Sequence, residues 1–149
     1  MGAHRLILSD STREDLRQTI VAPLRAFNES QVGVHTHRGL AIEVRSAQDE
    51  TIGGLWGSTG FGWLFVQLLI VPEALRAQGL GRQLMAMAEN EARQRGCHGA
   101  WLDTFDFQAR PFYERLGYTL FGELADYPKG HTRYYLQKAL AALDTGGSA

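Results

Sequence analysis

Between Val71 and Gly96 the chain reads VPEALRAQGLGRQLMAMAENEARQRG, and the six residues Arg76-Ala77-Gln78-Gly79-Leu80-Gly81 carry its most specific chemical signal. Two glycines separated by one residue permit backbone angles and close approaches that side chains forbid. A helical pattern follows at once, and the start of a helix brings unpaired N–H groups and a partial positive charge. Such a turn is a cradle for an anion, and a phosphate group suits it best. Two familiar phosphate loops do not fit. A P-loop needs GxxxxGK followed by Ser or Thr, whereas Gly81 is followed by Arg82 and Gln83; the GxGxxG pattern needs a glycine where Leu84 stands.

The elements around the turn follow from periodicity. A short first strand is expected at RLILS, residues 5–9. The run from Asp10 to Ser30 then places Leu16, Ile20, Leu24 and Phe27 on one helical face, with Pro23 expected to break or kink it. LAIEVRS, TIGGLWGS and WLFVQLLIV alternate or are rich in β-branched and aromatic residues, and turns at AQDE and STGFG separate three strands. From Leu80 the spacing becomes helical again: Leu80, Leu84, Met87 or Ala88, and Ala92 share one face. Arg82, Gln83, Glu89, Asn90 and Arg93 lie largely opposite, and Gly96 stops the helix. GAWLDTF reads as a buried strand. QARPFYERLGY reads as a short helix that starts near Gln108 or Ala109, so that Pro111 falls in its first turn, and that closes at Gly117. YTLFGEL and TRYYLQKAL supply two last strands, and DTGGSA, residues 144–149, a frayed tail. The expected architecture is α/β with a mixed sheet, in one domain over residues 1–143, with the strand before the glycine turn near the middle of the sheet.

Composition narrows the function. A chain of 149 residues with 44% hydrophobic residues suits one domain. Fifteen basic and sixteen acidic side chains give a net charge of -1, which offers no overall field for nucleic acid. No apolar run approaches the roughly 18 residues of a membrane span, so a soluble, cytoplasmic protein is expected. Cys97, the only cysteine, reads as a small apolar filler rather than a nucleophile. His35 and His37 alternate with Thr36 but have no matching cysteine or carboxylate cluster, and no metal site is expected.

RxxGxG after a strand ending in Val-Pro, with FYERLGY about thirty residues later, resembles the GNAT superfamily of acyl-CoA-dependent N-acetyltransferases. The resemblance runs from about Ile52 to Tyr118 and, through strand order, covers most of the chain. It implies a mostly antiparallel sheet flanked by helices, with acetyl-CoA as cosubstrate. The N–H groups of Arg76, Ala77, Gln78, Gly79, Leu80 and Gly81 would bind the coenzyme A pyrophosphate. Leu69, Ile70 and Val71 would offer main-chain partners to the pantetheine arm, at a splay between the fourth and fifth strands, and a main-chain N–H there would polarise the acetyl carbonyl. Tyr113 matches the family tyrosine near the sulfur, a general acid. Asp106 stands where many relatives have asparagine, and would contact the cofactor arm or order the loop into the next helix.

The general base stays open. Many relatives carry a glutamate on the strand before the turn, where this chain has Gln67, which accepts no proton at useful pH. Water relayed by Gln67 or a main-chain carbonyl, Glu43, Glu123, Asp126 and His131 are the alternatives. Trp56, Phe61, Trp63 and Phe65 read as packing, and the segment from Asp126 to Tyr135 as a border of the acceptor pocket. The expected activity is acetylation of a primary amine on a small molecule in a ternary complex, with a possible homodimer and neither nucleic acid nor membrane as partner. The alternatives are a protein lysine or N-terminal acceptor, or a non-catalytic acyl-CoA-binding module.

Overall fold

The computed structural model describes residues 2–142, so the expected tail at 144–149 lies outside the described residues. The chain divides into two compact units, 2–35 and 36–142. In the first, residues 5–9 form no strand. A single short run of apolar residues does not by itself make a strand that is stable in water. Helix α1 (Glu14–Val32) is continuous, with Pro23 inside it rather than ending it. The eighteen other residues of the element carry the helix across the one missing N–H.

The second unit is a six-stranded sheet with two helices. Strands β1 (Arg38–Arg45), β2 (Thr51–Gly60) and β3 (Trp63–Ile70) form an antiparallel meander. A two-residue turn at Phe61-Gly62 joins β2 to β3. A short 3₁₀ turn (Glu73–Leu75) and helix α2 (Leu80–Gln94) lead to β4 (Gly99–Phe105), which lies parallel to β3. Helix α3 (Arg110–Arg115), β5 (Thr119–Ala125) and β6 (Thr132–Ala139) complete the order β1-β2-β3-β4-β6-β5. All neighbours are antiparallel except β3 and β4, the one pair joined through a crossover helix.

Leu64 and Val66 on β3, Ala100 and Leu102 on β4, and Leu136 on β6 are buried on one face of this sheet. Leu84, Met85, Ala88 and Ala92 of α2 join them in one core, together with Tyr113 of α3. The face expected for α2 is therefore correct, with Ala88 rather than Met87 in the core and Met87 exposed. Glu89 departs from expectation: it is buried, 5% exposed, instead of lying on the outer face. Its Oε2 accepts the Tyr118 hydroxyl at 2.9 Å and its Oε1 the Lys138 ammonium at 2.8 Å. Partners 29 and 49 residues away are what make this carboxylate tolerable in the core. They clamp α2 to the start of β5 and to β6.

The C-terminal end of α2 is tied to the other side of the sheet. Arg95 donates to the Gly39 carbonyl at 3.0 Å and to Thr59 Oγ1 at 3.1 Å. The Cys97 N–H returns to the Ala92 carbonyl at 2.9 Å past Gly96, a closure common at helix ends. Together these bonds aim the N-terminus of α2 at the end of β3.

Candidate functional site

The site begins where a strand pair separates. Strands β3 and β4 are paired only from Trp63↔Gly99 to Val66↔Leu102. On the other side of β3, the register with β2 shifts so that Trp56 meets Leu68 and Gly57 meets Val66, leaving Gln67 as an extra residue. A bulge of this kind bends its strand and increases its twist. Beyond Gln67, then, β3 swings away from β4, and main-chain groups on its vacated side are open to a ligand. The expected splay is present between the third and fourth strands, because the strand expected at 5–9 does not exist.

The glycine turn closes one end of this opening. Gly79 caps α2 in the left-handed region at φ 78°, and Ala77 is left-handed as well at φ 64°. The first helical bond runs from the Gln83 N–H to the Gly79 carbonyl at 3.1 Å. The N–H groups of Leu80, Gly81 and Arg82 precede it and have no acceptor within the helix. A side chain at Gly81 would bring its Cβ to 3.1 Å from Phe112 Cζ, so glycine here lets α3 approach the first turn of α2. Arg76 folds back through Nε to the Val71 carbonyl at 3.1 Å and fixes the loop to the end of β3.

These elements enclose a cavity of about 740 Å³. Leu69, Ile70, Val71, Arg76, Ala77, Gly79, Leu80, Gly81 and Tyr113 all line it, so nine of the residues expected at the site are brought together. Two are not among the lining residues. Gln78 turns its side chain to the Ala74 carbonyl at 3.4 Å. Asp106 takes the Thr132 N–H at 2.9 Å and pairs with His131 Nδ1 at 2.9 Å, which orders the loop between β5 and β6. Sequence reasoning missed Arg82, Arg115, Phe107 and Phe112 in the lining. Arg115 and Phe112 sit inside the FYERLGY motif itself, and Arg82 directly follows Gly81, so adjacency to the motifs was the available signal. With Arg76, the two arginines bring three cationic residues to the lining of a cavity that also has a helix N-terminus, a setting for a polyanion.

Tyr113 is 8% exposed. Its ring meets Phe112 edge-on at 5.0 Å and Tyr118 at 6.2 Å. Burial, with the Asp103 charge adding to it, pushes its phenol up to about 12. The group is therefore a hydrogen-bond donor throughout the ordinary pH range. Thr104 and Gln108 set α3 in place: Gln108 Oε1 accepts the Phe105 N–H at 2.9 Å and the Thr104 hydroxyl at 3.2 Å.

The expected base candidates fare differently. Glu43 is held by the Thr51 hydroxyl at 2.6 Å and by Arg45 at 3.1 Å, and the Thr51 bond followed by the Arg45 contacts holds its carboxyl below the usual range. Asp126 accepts the Gly130 N–H at 3.1 Å and shapes the β5–β6 loop. His131 is engaged by Asp106, and Glu123 lies opposite Tyr134 on β5. None of the four lines the cavity. Cys97 is buried, and burial pushes its thiol up. Among the described residues no group of three or more His, Cys, Asp or Glu side chains is placed to hold a metal ion, and no helix is long and apolar enough to cross a membrane.

Comparison with known proteins gives a consistent answer. The family model described as the acetyltransferase (GNAT) family matches residues 7–118. An acetyltransferase of Agrobacterium fabrum strain C58 is 44% identical over 132 residues, spanning 89% of this chain and 96% of that protein. The blasticidin-S acetyltransferase of Streptomyces morookaense is 47% identical over 92 residues, or 61% of this chain and 68% of that protein. The crystal structure of an acetyltransferase from Agrobacterium tumefaciens has a TM-score of 0.85 at 43% identity, covering 91% of this chain and 99% of that one.

Proposed function

This chain belongs to the acetyltransferase (GNAT) family, and we propose that it moves an acetyl group from acetyl-CoA to a primary amine of a small molecule, by direct attack within a ternary complex. The observation that carries this reading is the cavity that joins the glycine turn to Tyr113 along the open side of β3. The diphosphate of coenzyme A belongs at the N–H groups from Arg76 to Gly81, beside the three arginines. The pantetheine arm follows Leu69 to Val71, and the thioester ends near Tyr113. Asp106 acts on this site through the loop it orders rather than through the cavity wall.

The chemistry then needs few groups. The acceptor nitrogen attacks the acetyl carbonyl carbon, a C–N bond forms, and the C–S pair leaves on sulfur. A main-chain N–H of β3 near Leu69 to Val71 stabilises the carbonyl oxygen as its charge grows. The Tyr113 hydroxyl donates to the departing sulfur. With the phenol at about 12 and a thiol near 8.5, complete proton transfer is uphill by roughly 5 kcal/mol, so donation of a hydrogen bond is the larger part of its role. Cys97, the only cysteine, is buried and raised in pKa, which favours direct attack over an acyl-cysteine intermediate.

The small-molecule acceptor draws its support from the 47% identity to a blasticidin-S acetyltransferase. The test is release of free coenzyme A, read with a thiol reagent, from acetyl-CoA and a panel of amines. The panel contains blasticidin S, simple diamines and amino sugars, together with peptides bearing a free N-terminus or a lysine. Turnover with one of the small amines is the expected result. Turnover with the peptides alone would move the acceptor to a protein, and no release with any amine would leave an acyl-CoA-binding module.

A further inference from the structure

The base left open by Gln67 has a candidate on the neighbouring strand. Leu102 and Thr104 of β4 are buried on the face that carries α2 and α3, and Thr104 Oγ1 receives the Ala109 N–H at 3.4 Å. Alternation along a strand turns Asp103 to the opposite face. Asp103 is also the first β4 residue beyond Leu102, the last to pair with β3. It stands at the mouth of the splay, across the sheet from the cavity, and it is absent from the cavity's lining. A cofactor in the cavity and an acceptor arriving from the other face would meet at this opening.

The Asp103 side chain is 11% exposed and is held from one side only. Arg133 on β6 reaches it through Nε at 3.0 Å and Nη2 at 2.8 Å, and both contacts fall on the same oxygen, Oδ1. Oδ2 has no hydrogen-bond partner among the described residues. Arg133 is itself fixed, its guanidinium lying 5.0 Å from the Tyr127 ring and 5.5 Å from the rings of Phe105 and Tyr135. A carboxylate with one oxygen anchored by a cation that aromatic rings hold in place, and with the other oxygen bare, is built to take an N–H donor carried on an amine.

We propose that Asp103 is the catalytic base: Oδ2 accepts a hydrogen bond from the acceptor nitrogen and takes the proton that this nitrogen sheds as its bond to the acetyl carbon forms. Arg133 keeps the carboxylate in place through Oδ1. The proton later passes to solvent from Asp103, while the electron pair of the broken C–S bond stays on sulfur beside the Tyr113 hydroxyl. The proposal rests on the acetyl-transfer reading given above. The electrostatic coupling of Asp103 to Tyr113, secondary there to burial, agrees with two groups flanking one opening. Across the ladder Asp103 lies opposite Tyr135 of β6 and is paired with Arg133 of the same strand; Tyr113 feels its charge, and Asp106 with its partner His131 follows three positions along the chain.

The test uses the full chain and the best amine of the panel, with kcat and kcat/KM measured from pH 5 to 9. Asp103→Asn keeps the hydrogen-bond acceptor for Arg133 and removes the base. It should lower kcat by about 10²-fold, abolish the acidic limb of the profile, and leave thermal protection by acetyl-CoA unchanged. Arg133→Gln supplies a second, independent reading: with Oδ1 no longer anchored by its cation, kcat should fall while the KM for acetyl-CoA and the thermal protection it gives stay unchanged. An Asn variant with wild-type turnover or an intact acidic limb overturns the proposal while leaving the acetyltransferase reading in place. So does a wild-type kcat in Arg133→Gln. Wild-type protein inactive with every amine would overturn both.

Discussion

A phenol, a carboxylate and a bare turn of backbone divide the work of this site, and burial sets the character of the first. Tyr113 is pushed up to about 12 because its anion would have to sit in the core, with the Asp103 charge as a smaller contribution. Replacing it by phenylalanine removes the donor but not the ring, so kcat should fall by about 10²-fold while acetyl-CoA still protects the protein against heat. Unchanged turnover would exclude Tyr113 from the chemistry. The same shift has a thermodynamic consequence. A phenol whose folded pKa lies above its unfolded value near 10 binds its proton more tightly in the folded state. Its contribution to stability is complete below about pH 10 and is lost as pH rises through about 12. Alkaline unfolding followed by circular dichroism should accordingly be less steep in that window for Tyr113→Phe than for the wild type.

Among the elements, α2 has two tasks that call for opposite kinds of residue. Its first turn must stay bare to face an anion. At Gly81 a valine would press on Phe112, whose Cζ lies 3.1 Å from where a Cβ would stand. We expect Gly81→Val to cost about 1–3 kcal/mol through overpacking and to weaken acetyl-CoA binding by at least about tenfold, the loss of a single charge-assisted hydrogen bond. Isothermal titration would show it, and an unaltered affinity would separate the turn from the cofactor. The middle of the helix must instead be filled. Leu84 is 3% exposed in the shared core of α2, β3 and β4. Leu84→Ala should lower the free energy of unfolding in urea by about 2–5 kcal/mol.

At the scale of the molecule, the sheet must open on one edge of β3 without coming apart, and a buried cluster on α2 supplies the closure. Glu89 joins α2 to Tyr118 and Lys138 with bonds of 2.9 and 2.8 Å. Tyr118 in turn packs edge-on to Tyr113 at 6.2 Å, so the same clamp backs the candidate hydrogen-bond donor. Glu89→Ala leaves an ammonium and a phenol without their partner, and should destabilise the fold by about 3 kcal/mol, measured by chemical denaturation. A cost under about 0.5 kcal/mol would show that the cluster is solvated rather than structural. Because ligand binding stabilises only the folded state, acetyl-CoA at about a hundred times its Kd should add roughly 2.7 kcal/mol to the wild type, seen as a rise in Tm.

The sequence alone determined the parts of this protein that depend on local chemistry. The spacing of Gly79 and Gly81 before a helical repeat, the alternation of β1 to β3, and the pairing of RxxGxG with FYERLGY sufficed for the α/β class, the family resemblance and nine of the residues around the cavity. Each of those signals is complete within a few residues, because turn conformation, helix periodicity and strand alternation are short-range properties. Tertiary structure decided the rest. Whether Glu89 faces solvent or the core, and which Asp103 oxygen Arg133 occupies, depend on residues 29 to 49 positions away. A carboxylate reads the same in sequence on a wet face or at the mouth of a cleft, and only the chain's return through β6 distinguishes the two.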